Sequence, residues 1–200
     1  MNSRSIGVLP SVRERILETA LDEFYECGFH GATMRNIANK AGCSAANVYN
    51  HFENKSELLV EILRRASDEQ FTATRNALRK AGADPAERWR MAVVAHSLYT
   101  AQNPRACLVA NTELRYLDTL NRKRVVGSRD AQEQLFVDIA ENAVASGVFD
   151  VSRVHQAVTA VLTMCSGIPL WFRADGPLSA QQVADDYGRY ALNLVGYHPN

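Results

Sequence analysis

The chain has 200 residues, 46% of them apolar, and a formal charge of zero. That suits one large domain, or a small domain joined to a larger one, with enough apolar side chains for a core. It excludes a broadly basic nucleic-acid-binding domain, and no apolar run approaches the ~18 residues of a membrane span.

The N-terminal MNSRSIGVLP lacks a signal peptide's apolar stretch, so a short loose arm and a cytoplasmic protein without a membrane partner are expected. Cys27, Cys43, Cys107 and Cys165 are scattered, without a C-x-x-C pair, and read as reduced thiols in or near cores. His30, His51, His96, His155 and His198 lie too far apart for a local metal pair. No metal site and no cofactor are expected.

Helix caps divide the chain. Ser11 with Glu14 predicts a capping box, followed by Val12, Ile16, Ala20 and Phe24 at helical spacing and ended by Gly28. Thr33 caps a second helix with Ile37 and Ala38 facing inward; Gly42 breaks it, and Ser44 caps a short third helix. Asn54 and Glu57 start a fourth that runs to about Gly82. Asp84-Pro85 and Asn103-Pro104 start the next two. Leu135, Ile139 and Ala143 mark one face of a long helix ended by Gly147. Ser179 with Gln182 caps the last helix, so the final pair is expected at about 151–173 and 179–196. No strand alternation or repeat appears. The fold class is all-α, with a helix-turn-helix module at 1–54 and a larger helical domain at 55–200.

The third helix, SAANVYNH, is short and poor in apolar residues. After a Gly-containing turn it has the form of a recognition helix, which enters the DNA major groove. Ala45 and Ala46 allow close approach to base edges, Val48 and Phe52 face back into the core, and Ser44, Asn47, Asn50 and His51 offer hydrogen bonds. Tyr49 can reach a phosphate, and the free N–H groups near Asn54 and Lys55 suit an anion. Residues 1–60 carry six cations and seven anions, so DNA contact must come from local placement of a few groups.

The stretch GATMRNIANKAGCSAANVYNHFENKSELL resembles the TetR family of bacterial transcriptional regulators. The resemblance rests on T-x-R-x-I-A, the A-G turn and Y-x-H-F-x-x-K-x-x-L-L, and covers about the first third of the chain. It implies phosphate contacts for Thr33, Tyr49 and Lys55, and a guanine contact for Arg35. It places Ser44, Ala45, Ala46, Asn47, Asn50 and His51 on the groove-facing helix. Direct base reading then leans on Arg35, Asn47, Asn50 and thymine methyl contacts. The alternative for Tyr49 and His51 is the rim of the small core; for Arg35, Asn47 and Asn50 it is a solvated helix surface.

The resemblance further implies a ligand-responsive repressor. A homodimer through the last two helices would bind a palindromic double-stranded DNA operator and be released by a small hydrophobic effector. The C-terminal GPLSAQQVADDYGRYALNLVG is similar to the acyl-CoA-responsive branch, which suggests an acyl-CoA. Expected pocket residues are Trp89, Tyr99, Cys107, Asn111, Tyr116, Phe136, Met164 and Trp171, with core packing as the alternative for the aromatic and Met positions. Arg122, Lys123, Arg124 and Arg129 form the densest basic cluster; it is a solvated face or an anchor for CoA-like phosphates, with Arg122 and Arg124 as the chosen contacts. An enzyme is not expected, since G-x-S-x-G, a Gly-rich phosphate loop and H-E-x-x-H are absent. A protein-binding adaptor would not need Arg35, Tyr49 and Lys55 aimed at phosphates.

Overall fold

A computed structural model describes residues 10–198. Among them nine α-helices and two short 3-10 turns follow one another, with no strand. All but one residue of the expected N-terminal arm lies outside the described residues.

Helix α1 spans Val12–Gly31. Ser11 Oγ accepts the Glu14 N–H at 3.2 Å, but the box does not close. The Glu14 carboxylate instead takes two N–H bonds from Arg65, at 2.7 and 2.9 Å, which ties the start of α1 to α4. Gly28, with φ of 67°, breaks the regular helix where the sequence places its end.

Helices α2 (Met34–Lys40) and α3 (Ala45–His51) are each seven residues long. Such lengths are marginal in isolation, so caps and packing must hold them. Thr33 Oγ1 accepts the Asn36 N–H and Ser44 Oγ the Asn47 N–H, both at 3.1 Å. Gly42, with φ of 66°, lets the chain reverse between them. Ile37, Ala38, Val48 and Phe52 close the core beneath.

Helix α4 (Lys55–Lys80) is capped by Asn54, and the Glu57 carboxylate returns to the Glu53 N–H. Its first turns, Leu58 to Leu63, complete the core of α1 to α3, which also takes Val109, Ala110, Leu117 and Val125. The helix-turn-helix module is therefore packed onto the rest of the chain, not hung from a linker.

The second core joins α5 (Pro85–Gln102), α7 (Thr119–Ala145), α8 (Val154–Ser166) and α9 (Ala180–Leu194). Asp84 caps α5 through the N–H groups of Ala86 and Glu87, and Ser179 with Gln182 makes a complete capping box on α9. Helix α6 (Pro104–Thr112) starts without the side-chain cap expected from Asn103, whose amide turns back to the Tyr99 carbonyl. A 3-10 turn, Glu113–Tyr116, follows α6. The helix expected over 151–173 stops at Ser166, because Pro169 has no N–H to give; Ile168–Leu170 form a 3-10 turn instead. Cys107 and Cys165 are buried, but Cys27 is exposed rather than set in a core. Among the described residues, no helix is long and apolar enough to cross a membrane.

His96 lies inside this second unit with its ring nitrogens 3.1 Å from the Gln132 amide and 3.4 Å from that of Gln70. Burial pushes it down from 6.5 to about 4, so it is neutral in the fold at pH 7. Between those values the unfolded chain binds a proton that the folded one refuses. Stability is therefore full above about pH 6.5 and falls as pH drops toward 4, by about 3 kcal/mol. Urea denaturation across that range should show the loss in the wild type and a flatter profile in His96→Gln; equal slopes would contradict it.

Candidate nucleic-acid interface

Helices α2 and α3 expose their polar sides together. Thr33, Arg35, Ser44, Ala46, Tyr49, Asn50 and His51 are exposed, while Ala45 and Asn47 are half-buried. Tyr49 is 54% exposed, on the face of α3 away from the fully buried Val48. Neither Tyr49 nor His51 is buried.

The cations of this module are mostly occupied. Lys40 forms ion pairs with the buried Glu23 and with Glu26, which hold its ammonium well above the usual lysine range. Arg13 lies over the Phe52 ring and pairs with Glu61. Arg15 turns back to the Pro10 carbonyl. Among the described residues Arg35 alone of these side chains has neither an ion-pair partner nor a hydrogen bond. It stands exposed in the first turn of α2.

Lys55 differs from its expected free phosphate-reaching posture. Its Nζ donates to the Ala32 carbonyl at 2.8 Å and sits 4.5 Å from the centre of the Phe29 ring. This partial burial lowers its proton affinity. The side chain ties the α1–α2 corner to the start of α4, and its ammonium keeps further N–H groups, beside the backbone ones there, for an anion.

The same corner receives the rest of the molecule. The buried Glu113 carboxylate accepts the Phe29 N–H at 2.8 Å, just past the break at Gly28. Tyr116 stacks on Phe29 with ring centres 5.9 Å apart and meets His30 edge-on at 4.6 Å. Arg105 pairs with Asp22 at 2.5 Å. Sequence reading missed this joint: Glu113 looks like any surface acid, and only the fold brings it 84 positions back.

The expected effector residues do not form one pocket. Trp89 and Phe136 are fully buried, meet edge-on at 5.5 Å and belong to the core, where the Trp89 indole N–H donates to the Ala191 carbonyl. Met164 packs against that core. Tyr116 belongs to the joint described above. Trp171 is 48% exposed and stacked on Tyr187. Arg122 and Arg124 are exposed, and Arg124 reaches only the Asn121 amide oxygen. Tyr99 bonds Glu69 at 3.0 Å. Cys107 and Asn111 share a small polar cavity bounded by α4, α5, α6, α7 and the last residue of α8.

Comparison with known proteins fits this geometry. Residues 16–62 match the family described as bacterial regulatory proteins of the tetR family, and residues 82–195 match a tetracyclin repressor-like C-terminal domain. The chain belongs to the TetR family. It is 29% identical over 189 residues to the HTH-type transcriptional repressor KstR2 of Mycobacterium tuberculosis, covering 92% of each chain. The structure of that protein, a ketosteroid transcriptional regulator, superposes with a TM-score of 0.84 at 26% identity, over 98% of this chain and all of the other. The TetR-family regulator PfmR of Thermus thermophilus superposes with a TM-score of 0.82 at 34% identity, over 92% of this chain and all of the other. AibR, solved with isovaleryl coenzyme A and operator DNA, has the same fold with a TM-score of 0.82 at 22% identity, over 94% of this chain and all of the other.

Proposed function

We propose that the chain is a ligand-responsive transcriptional repressor that acts in the cytoplasm as a homodimer on a palindromic operator. The observation that carries this reading is the exposed polar row on α2 and α3, with Arg35 unpaired at its edge and the apolar sides of both helices spent on the core. Arg35, Asn47 and Asn50 read base edges; Thr33, Ser44, Tyr49, His51 and the α4 N-terminus hold phosphates, with Ala45 and Ala46 against the groove. The name of KstR2 as a repressor supports the sign of the response. Such regulators carry out no reaction.

Two such units must be spaced about one DNA turn apart, roughly 34–36 Å, which one chain cannot supply. Helix α9 and the turn before it leave Leu170, Trp171, Tyr190 and Leu194 exposed, apolar area suited to a self-complementary interface. An effector held among α4 to α8 acts through α6: movement of that helix shifts Glu113 and Tyr116, and with them the α1–α2 corner. An acyl-CoA is the effector class we favour, since AibR shows that this fold can hold one together with operator DNA.

The double variant Tyr190→Glu, Leu194→Glu tests the dimer. It should sediment as a monomer with unchanged helical circular dichroism and lose at least about a hundredfold in affinity for a site recovered from genomic DNA. A monomeric variant that binds as the wild type does would refute the two-fold reading.

A further inference from the structure

Arg129 belongs to the basic cluster of α7, yet the function described above leaves it unused. It is half-buried, and its guanidinium donates to the Ala110 carbonyl in the last turn of α6 at 2.7 Å. No carboxylate pairs with it among the described residues, unlike Arg64, Arg65, Arg90, Arg105, Arg173 and Arg189. The other side chains lining its cavity of about 30 Å³ are neutral, among them Ser67, Gln70, Thr100, Cys107 and Asn111, and the exposed Arg122 adds a further positive charge nearby. That volume is room for about one water. Burial weakens its hold on the proton, which is the sign of a cation kept from solvent without a counter-charge.

A second observation lies one helical turn further along α7. Gln132, 6% exposed, gives its amide nitrogen to Thr74 and His96, and its amide oxygen has no partner. His96 in turn meets Gln70, which lines the Arg129 cavity. The Gln132 oxygen could take only a donor, so the unsatisfied site for an anion is the half-buried Arg129 cation, which borders this polar network without a carboxylate partner.

We infer that Arg129 receives the oxyanion of the effector, a carboxylate or phosphate, and that this contact is what frees α6. The inference rests on the repressor reading above. A guanidinium has five N–H donors, and one carbonyl uses only one of them. Without effector it holds the carbonyl end of α6 to α7. An oxyanion can take two of the remaining N–H groups in a charge-assisted, two-pronged contact, and its negative charge beside the Ala110 carbonyl oxygen repels that carbonyl. The cavity is too small for an amphiphile, so binding must open it, and α6, which supplies Cys107 and Asn111, is the wall released. That helix leads directly into Glu113 and the Phe29 N–H. The exposed Arg122 and Arg124 are not needed for this.

The test uses the full chain and matched probes. The anionic fluorophore 1-anilinonaphthalene-8-sulfonate should bind the wild type at least about tenfold more tightly than its uncharged counterpart N-phenyl-1-naphthylamine. Octanoate and octyl phosphate should displace it while octanol does not, and the tighter of the two tells which oxyanion the site prefers. Arg129→Gln should remove the preference; Arg129→Lys should keep part of it, and Arg124→Gln all of it. Equal binding of charged and uncharged probes, displacement by octanol, no binding by either fluorophore, or an Arg129→Gln protein that keeps the preference would each overturn the inference. Were Arg129→Gln not to fold, the octanol arm on the wild type decides alone. Release of bound operator is read separately: a displacing oxyanion that leaves DNA bound contradicts the repressor reading, while the anion site stands.

Discussion

Replacing Arg35 with alanine should cost the dimer at least about thirtyfold in operator affinity. A bidentate arginine–guanine contact is worth about 1–3 kcal/mol, and a two-fold complex loses it twice. The expectation is large because the neighbouring cations cannot compensate. Lys40 is bound to Glu23 and Glu26, and Lys55 to the Ala32 carbonyl. Arg35→Ala should also relax the preference for the base it reads. Lys40→Ala should behave differently: it strands the buried Glu23, so the loss appears in denaturation midpoint rather than in specific DNA contact. Fluorescence anisotropy on a single operator and on a mismatched one separates the two. Equal affinity of wild type and Arg35→Ala would remove the guanine contact from the account.

Trp89→Ala should lower stability by about 3–5 kcal/mol, because it empties a site at 0% exposure and removes the shorter of two N–H bonds to the Ala191 carbonyl, leaving that from Val195. For a chain of this size that is a fall in melting temperature of about 10 °C. Trp89→Phe keeps most of the ring volume and loses the N–H, so it should fall between. Effector response should be unchanged in whatever fraction stays folded. Had Trp89 lined the pocket, the Phe variant would alter effector affinity and spare stability. Thermal circular dichroism with and without octanoate distinguishes these outcomes.

The contrast between Arg35 and Trp89 shows where a sequence speaks. Caps were legible because a Ser, Thr, Asp or Asn before an apolar stripe has one local job, and Ser11, Thr33, Ser44, Asn54, Asp84 and Ser179 all do it. The first half of α7 was not legible: from Thr119 to Asp130 only Val125 is buried, so no apolar stripe announces a helix. The break after Ser166 hid for the opposite reason. The apolar pattern runs on through Ile168 and Leu170, and Pro169 marks the end more quietly than a cap does.

Side-chain roles divide in the same way. The exposure of the α3 face follows from a seven-residue helix with Val48 as its buried anchor, which spacing reveals. Whether a lysine is free does not follow from spacing. Lys40 and Lys55 look alike on the page, and both are held by groups 14 to 23 positions away. The aromatic residues were harder still. Trp89, Tyr116 and Trp171 share a chemistry, yet one fills the core, one joins α6 to the DNA module and one lies on the surface. Only packing decides among such uses.

Capture of fragmented genomic DNA from the encoding organism on the purified full-length protein, washed at moderate salt and sequenced, tests the central claim most directly. A dimeric repressor should recover one recurring palindrome whose half-site centres lie about 10 base pairs apart or a multiple of that, lost with Arg35→Ala. Fragments without a common motif, retained equally by wild type and Arg35→Ala, would contradict it.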